Sequence, residues 1–189
     1  MAHKEQNDFV YRTKERFPQY FTNKKVLGIG TFDVCGTEDS YFNECNYAGL
    51  DLGPGPGVDI ICPAQDYDAP DETYDTIISC ECFEHNPYYK ETIQNAVRML
   101  KKGGMFIFTC ATTGRPVHGI LSLEEESKQK FPHWKTMPNV TRENWDNDYY
   151  KNLTEMDIRN CIDVEDIFSS FLFEVEGNHC DLFFWGVKK

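Results

Sequence analysis

Residues 24–52 constrain the fold more than any other part of the chain. They read Lys24-Lys25-Val26-Leu27-Gly28-Ile29-Gly30-Thr31-Phe32-Asp33-Val34-Cys35-Gly36, continue from Thr37 to Asn46, and close with Tyr47-Ala48-Gly49-Leu50-Asp51-Leu52. The apolar run Val26–Ile29 reads as a strand entering a glycine-rich turn. Thr37, followed by Glu38 and Asp39, reads as a helix start, because acids suit the positive helix end. A second strand ends at Asp51, 23 residues after Gly28. Glycine lets backbone approach a ligand closely, and an acid about 20 residues on can accept from both ribose hydroxyls. The segment predicts a βαβ unit carrying half of a nucleotide-cofactor site. A turn that merely closes an ordinary βα unit is the plainer alternative.

The rest of the chain repeats the theme. Residues 4–17 predict a helix with Phe9, Thr13 and Phe17 on one face, ended by Pro18. Gly53-Pro54-Gly55-Pro56-Gly57 is a stiff loop, and strands are predicted at Val58–Cys62, Thr76–Cys80 and Met105–Cys110. Asn86-Pro87 reads as a helix start, with Ile93, Ala96, Val97 and Leu100 as the apolar face and Gly103-Gly104 as the stop. Residues 111–150 break the pattern with Gly114, Arg115, His118, the charged run Glu124–Lys130, Trp134, Trp145, Tyr149 and Tyr150. Excursions of that length are commonly functional covers. Thr154 and Asp163 read as helix caps, and Phe171–Glu176 and Cys180–Val187 as a terminal hairpin. The expected fold is α/β: an open, mainly parallel seven-stranded sheet, one strand reversed by the hairpin, with helices on both faces. One domain spans 1–189, divided into a helix (1–23), a core (24–110), a cover (111–150) and the closing helices and hairpin (151–189).

Charge and cysteine usage remove other classes. A net charge of −12 disfavours nucleic acid as the main partner and favours a cationic ligand. No apolar run approaches the roughly 20 residues of a membrane span, and the first residues lack a secretory apolar stretch. The expectation is a soluble, cytoplasmic protein. The eight cysteines (35, 45, 62, 80, 82, 110, 161 and 180) are scattered, and Cys80-x-Cys82 lacks the spacing and second pair of a zinc site. They read as buried structural thiols, and no metal is expected.

Taken together, Val26–Thr31, Gly49-Leu50-Asp51, Asp59–Asp66, Tyr74–His85 and Arg98–Gly104 make the chain resemble the class I, seven-stranded, Rossmann-like S-adenosylmethionine-dependent methyltransferases of the small-molecule type 11 kind. The motifs cover residues 24–110 and the layout extends to 187. The resemblance implies methyl transfer to an oxygen or nitrogen of a small molecule. It further implies that Gly28, Gly30 and Thr31 line the methionine portion of S-adenosylmethionine, with Phe32 and Asp33 as further cofactor-binding candidates. Asp51 would then hold the ribose and Ala64 and Asp66 reach the adenine, with Leu52, Gln65, Cys80, Glu81 and His85 as further cofactor-binding candidates. Two positions depart from the family pattern. Gly28 stands where an acid normally helps hold the methionine end, with Asp33 as the candidate replacement. Pro63 stands where an acid commonly meets adenine. These departures keep a non-catalytic S-adenosylmethionine- or S-adenosylhomocysteine-binding protein as the alternative.

Methyl transfer is an in-line displacement, so the acceptor must be positioned and, if protonated, deprotonated. His118 and Tyr150, in the cover, are the candidate catalytic groups. Glu84 reads equally as a cap of the following helix.

Overall fold

A computed structural model describes residues 4–33, 38–120 and 149–189. The chain forms α1 (Lys4–Arg16), β1 (Lys25–Ile29), β2 (Asn46–Asp51), β3 (Ile60–Ile61), β4 (Tyr74–Cys80), α2 (Tyr89–Met99) and β5 (Leu100–Ala111). It ends with α3 (Glu155–Arg159), α4 (Val164–Ile167), β6 (Phe168–Glu176) and β7 (Asp181–Lys188). The seven strands make one sheet in the order β3-β2-β1-β4-β5-β7-β6. Strands β1 to β5 pair in parallel, whereas β7 runs antiparallel to both β5 and β6. This is the expected α/β sheet with one reversed strand.

Adjacent residues of the central strands serve opposite faces, because side chains alternate across a pleated strand. Leu27, Ile77, Phe106, Phe108 and Phe184 pack against Ile93, Ala96 and Val97 of α2 and against Ile158 and Val164 of the C-terminal helices. Val26, Ile78, Ile107, Phe183 and Trp185 pack with Phe9 and Val10 of α1. Burial of both faces is why these strands read as continuous apolar runs rather than alternating ones.

Several boundaries differ from the sequence expectation. Between β1 and β2 the described residues form a single 3₁₀ turn, Glu38–Tyr41, in place of an α-helix; Thr37 lies outside the described residues. The turn buries Tyr41 and directs Glu38 inward, where its carboxylate accepts from the Cys80 backbone N–H at 2.9 Å. A helix would have turned that acid to its own N-terminus. Helix α2 starts two residues beyond Pro87, because Asn86 Oδ1 accepts from Tyr88 N and its amide donates to Thr92 Oγ1. Leu100 begins β5 rather than closing the helix face, and Gly103 and Gly104 lie within that strand beside a register shift against β4. The carbonyls at the end of α2 instead receive the Lys188 ammonium, which donates to Val97 O and Leu100 O at 2.8 and 2.7 Å. The Thr154 and Asp163 caps form as expected, Thr154 as a full capping box with Asp157. Strand β3 shrinks to two residues. Of the cover, residues 121–148 lie outside the described residues, and with them Glu124–Lys130, Trp134 and Trp145. No helix among the described residues is long and apolar enough to cross a membrane.

Candidate active site

Parallel pairing brings the C-terminal ends of β1, β2, β4 and β5 to one sheet edge, and the Ala111–Asp181 pair adds the start of β7. In open α/β sheets this is the edge where ligands bind. Two neighbouring groups of residues occupy it.

The first lies beyond β1 and β2. Gly30 leaves β1 with φ of +77°, and its N–H donates to Leu50 O at 2.8 Å. A Cβ there would come within 2.6 Å of Cys82 Cβ and Sγ, so the turn is pressed against the end of β4. Thr31 is buried and its hydroxyl donates to Gly57 O, while Asp33 N donates to Pro56 O. Both oxygens of Asp51 are engaged: Phe32 N donates to one at 3.0 Å and Leu52 N to the other at 2.6 Å. Burial pushes the Asp51 carboxyl upward, opposed by these amides. Each oxygen keeps a further lone pair for a sugar hydroxyl. Ala64 is buried, Asp66 N donates to Pro63 O, and Gln65 Oε1 is buried with no hydrogen-bond partner among the described residues.

Gly28 offers no side chain because the Tyr47 hydroxyl stands where one would be. That hydroxyl donates to Glu38 Oε2 at 3.2 Å, and Cys80 N holds Oε1. The acid brought to the Gly28 side is therefore Glu38, ten residues on in sequence. Burial pushes its carboxyl up to about 7, against the pull of its Cys80 and Tyr47 hydrogen bonds.

The second group lies beyond β4, β5 and β7. Glu81 takes a left-handed backbone conformation, φ +53°, which is unfavourable for a residue with a side chain. Its carboxylate oxygens, those of Glu84 and those of Asp181 are all buried without hydrogen-bond partners among the described residues. Burial, then the neighbouring Glu84 and Asp181, hold Glu81 well above the usual carboxylate range, and burial pushes Glu84 up to about 7. Arg115 braces this corner, donating to His179 O at 2.7 Å and standing 3.5 Å from Asp181 Oδ1. Against the acids stand three rings. His85 and His118 centroids are 5.2 Å apart, and Tyr150 lies 5.3 Å from the first and 5.1 Å from the second. Burial, and next the nearby His118, depress His85 to about 3, so its imidazole is neutral. Burial raises the Tyr150 phenol, whose hydroxyl has no hydrogen-bond partner among the described residues.

Of the residues singled out from sequence, Gly30–Asp33, Asp51 and Leu52 thus share one cleft wall with Cys82. His118 and Tyr150 instead meet His85 and Glu81 at the adjoining corner. Sequence reading left out Glu38, Arg115 and Asp181 and was undecided on Glu84. For Glu84 a signal existed: Glu81-x-x-Glu84-His85 places two acids and an imidazole in one short turn at a strand end. Asp181 and Glu38 carried no such local mark.

The strand order, with its reversed seventh strand, is that of the class I, seven-stranded, Rossmann-like methyltransferase fold. Residues 43–108 match the family model described as "Methyltransferase domain", so this stretch of the chain carries that domain's sequence pattern. Among solved structures, phosphoethanolamine N-methyltransferase 2 of Haemonchus contortus, in complex with S-adenosyl-L-methionine, is similar at a TM-score of 0.60 and 15% identity, over 96% of this chain and 52% of that one. The chain thus spans about half the length of that enzyme. The 1,6-didemethyltoxoflavin-N1-methyltransferase of Burkholderia thailandensis, with 1,6-didemethyltoxoflavin and S-adenosylhomocysteine bound, matches at a TM-score of 0.59 and 13% identity, over 100% of this chain and 92% of that one. Sequence comparison with curated proteins gives no match.

Proposed function

We propose that the chain binds S-adenosylmethionine along Gly30–Asp33, Asp51–Leu52 and Ala64–Asp66, and transfers its methyl group to an oxygen or nitrogen of a small molecule. The observation that carries this reading is the meeting, on one sheet edge, of the Gly30–Asp51 cleft with the His85–His118–Tyr150 corner. The residues present fit the cofactor. Asp51 is held by two amides with lone pairs left to accept from ribose hydroxyls, and Gln65 Oε1 is a buried acceptor suited to an adenine amino group. Glu38 supplies a carboxylate for the methionine ammonium where Gly28 has none. When bound, the cofactor supplies a methyl group activated by a sulfonium centre.

The chain's own contribution is placement and proton management. His118 Nδ1 sits 3.0 Å from Pro116 O, which holds the imidazole at the corner as the group to take the acceptor's proton. The Tyr150 hydroxyl can orient the acceptor, and the apolar ring faces exclude water. Both Haemonchus and Burkholderia enzymes named above act on small molecules according to their names, which agrees with a small acceptor here.

A binding-only reading has one observation in its favour, the 3₁₀ turn that stands in place of the expected α-helix among the described residues between β1 and β2. Titration with S-adenosylhomocysteine and a screen of hydroxyl- and amine-bearing metabolites with labelled methyl donor test both readings. Binding with labelled product supports the enzyme. No binding by the folded protein refutes the cofactor site, and binding without product from any acceptor refutes catalysis.

A further inference from the structure

We propose that Glu84, His85 and His118 form a binding site for a first-row divalent transition-metal cation, at the acceptor corner of the sheet edge. One ligand atom from each of the three side chains lies within 4.8 Å of the others. Donors bound at about 2.0–2.2 Å from such an ion stand about 3–4 Å apart, so small side-chain movements close the set.

Three further observations point to a cation. Glu84 is 0% exposed and both of its oxygens lack a hydrogen-bond partner among the described residues. An uncompensated buried carboxylate is expensive, and a bound cation is one of the few groups that offsets it. His85 Nδ1 is likewise buried without a hydrogen-bond partner among those residues. His118 has one ring nitrogen held by a backbone carbonyl, Pro116 O, at 3.0 Å, the kind of outer contact that fixes the ring of a metal-bound imidazole. The loop bearing His118 is shaped to this end. Gly119 turns at φ +64°, and a Cβ there would come within 2.7 Å of His85 Cε1.

Donor chemistry narrows the ion. Two imidazoles and one carboxylate suit manganese, iron, cobalt or zinc in their divalent states better than calcium or magnesium, which prefer all-oxygen cages. Three protein donors leave coordination positions open toward the cleft. Glu81, just past the end of β4, is a further buried oxygen donor beside Glu84, its carboxylate oxygens without hydrogen-bond partners among the described residues. The acceptor class that matches open positions on such an ion carries oxygen donors, such as adjacent hydroxyls. A metal-bound hydroxyl loses its proton more readily and is fixed for in-line attack. Cation binding stands on the geometry alone; this role toward an acceptor rests on the methyl-transfer reading above, and with the ion bound it replaces proton removal by His118, whose ligating nitrogen is then occupied.

The test uses the full chain, stripped with a chelator and titrated with Mn²⁺, a poor partner for the eight thiols. Binding is followed by calorimetry and by the loss of free Mn²⁺ signal in electron paramagnetic resonance, with Co²⁺ absorption reporting imidazole ligation. One equivalent is expected, weakened at least about tenfold in His118→Ala and in Glu84→Gln. His118 is half-buried, so the His118→Ala variant decides the matter if Glu84→Gln fails to fold. Less than one equivalent in the wild type, or unchanged affinity in folded His118→Ala, overturns the proposal. S-adenosylhomocysteine affinity, measured in parallel, fails separately if the cofactor reading is the one at fault.

Discussion

Replacing Glu38 by glutamine should strengthen the fold and weaken the site, and the two effects can be measured apart. Glu38 is held by the Cys80 amide and the Tyr47 hydroxyl, yet burial outweighs both and raises its carboxyl to about 7. A group whose folded pKa exceeds its unfolded value stabilises the fold fully below the unfolded pKa, near 4.5. That contribution is lost as pH rises through the folded value, near 7. At about 1.4 kcal/mol per pKa unit, charging Glu38 in the folded protein costs up to about 3 kcal/mol by pH 8. Glutamine keeps the shape, can still accept from Cys80 N, and leaves the Tyr47 hydroxyl free to reverse its role. Denaturant unfolding at pH 5 and pH 8 gives the assay. The variant should gain about 2–3 kcal/mol on wild type between the two. In the same protein, S-adenosylhomocysteine should bind at least about tenfold more weakly at pH 8, because the ammonium loses its charged partner. A stability difference independent of pH would refute the burial argument, and undiminished affinity would refute the assignment of Glu38 to the methionine end.

Further outcomes follow from the same geometry. Asp51→Asn keeps one acceptor for the Phe32 and Leu52 amides but loses the charge, and should weaken S-adenosylhomocysteine binding about tenfold or more with circular dichroism unchanged. Gly30→Ala combines a positive φ with a 2.6 Å approach to Cys82, and should lower the unfolding free energy by about 1–3 kcal/mol, read by urea denaturation. The sequence implies a Gly30 that either lines the ligand or takes a positive φ; the structure shows the positive φ and adds Cys82 behind it. Tyr150→Phe should leave S-adenosylhomocysteine affinity unchanged in calorimetry and reduce turnover once an acceptor is in hand.

What could be read from the sequence, and what could not, divides by the range of the interaction responsible. Val26–Ile29, Thr76–Cys80 and Met105–Cys110 announced themselves because both faces of the sheet are covered and most residues are apolar, with buried hydroxyls such as those of Thr76 and Ser79 satisfied by backbone carbonyls. The hairpin announced itself through local turn chemistry around Gly177. The helix expected at Thr37 was a local reading overruled from a distance, since the partner of Glu38 is the backbone of Cys80. Gly103 and Gly104 misled for a related reason: helix stops and strand irregularities draw on the same residue. At the site, Gly30, Asp51 and His85 sat in spaced motifs. Asp181, by contrast, reaches the corner only because β7 pairs with β5, a relation that no local window contains.

That pairing also governs the order in which the molecule can be completed. Strand β5 is apolar along most of its length, and its free side meets β7 alone, some seventy residues later in the chain. Until residues 181–188 have been made, a nascent chain presents that strand as an open edge, the kind of surface that templates pairing with other chains. The contacts that close it are distant in sequence, which slows collapse to the native sheet. Lys188 then docks on the carbonyls at the end of α2, tying the last strand to the middle of the chain. A premature stop before Asp181 would therefore remove more than a rim of the sheet. It would delete one of the acids at the candidate site and leave an aggregation-prone remnant with β5 uncovered.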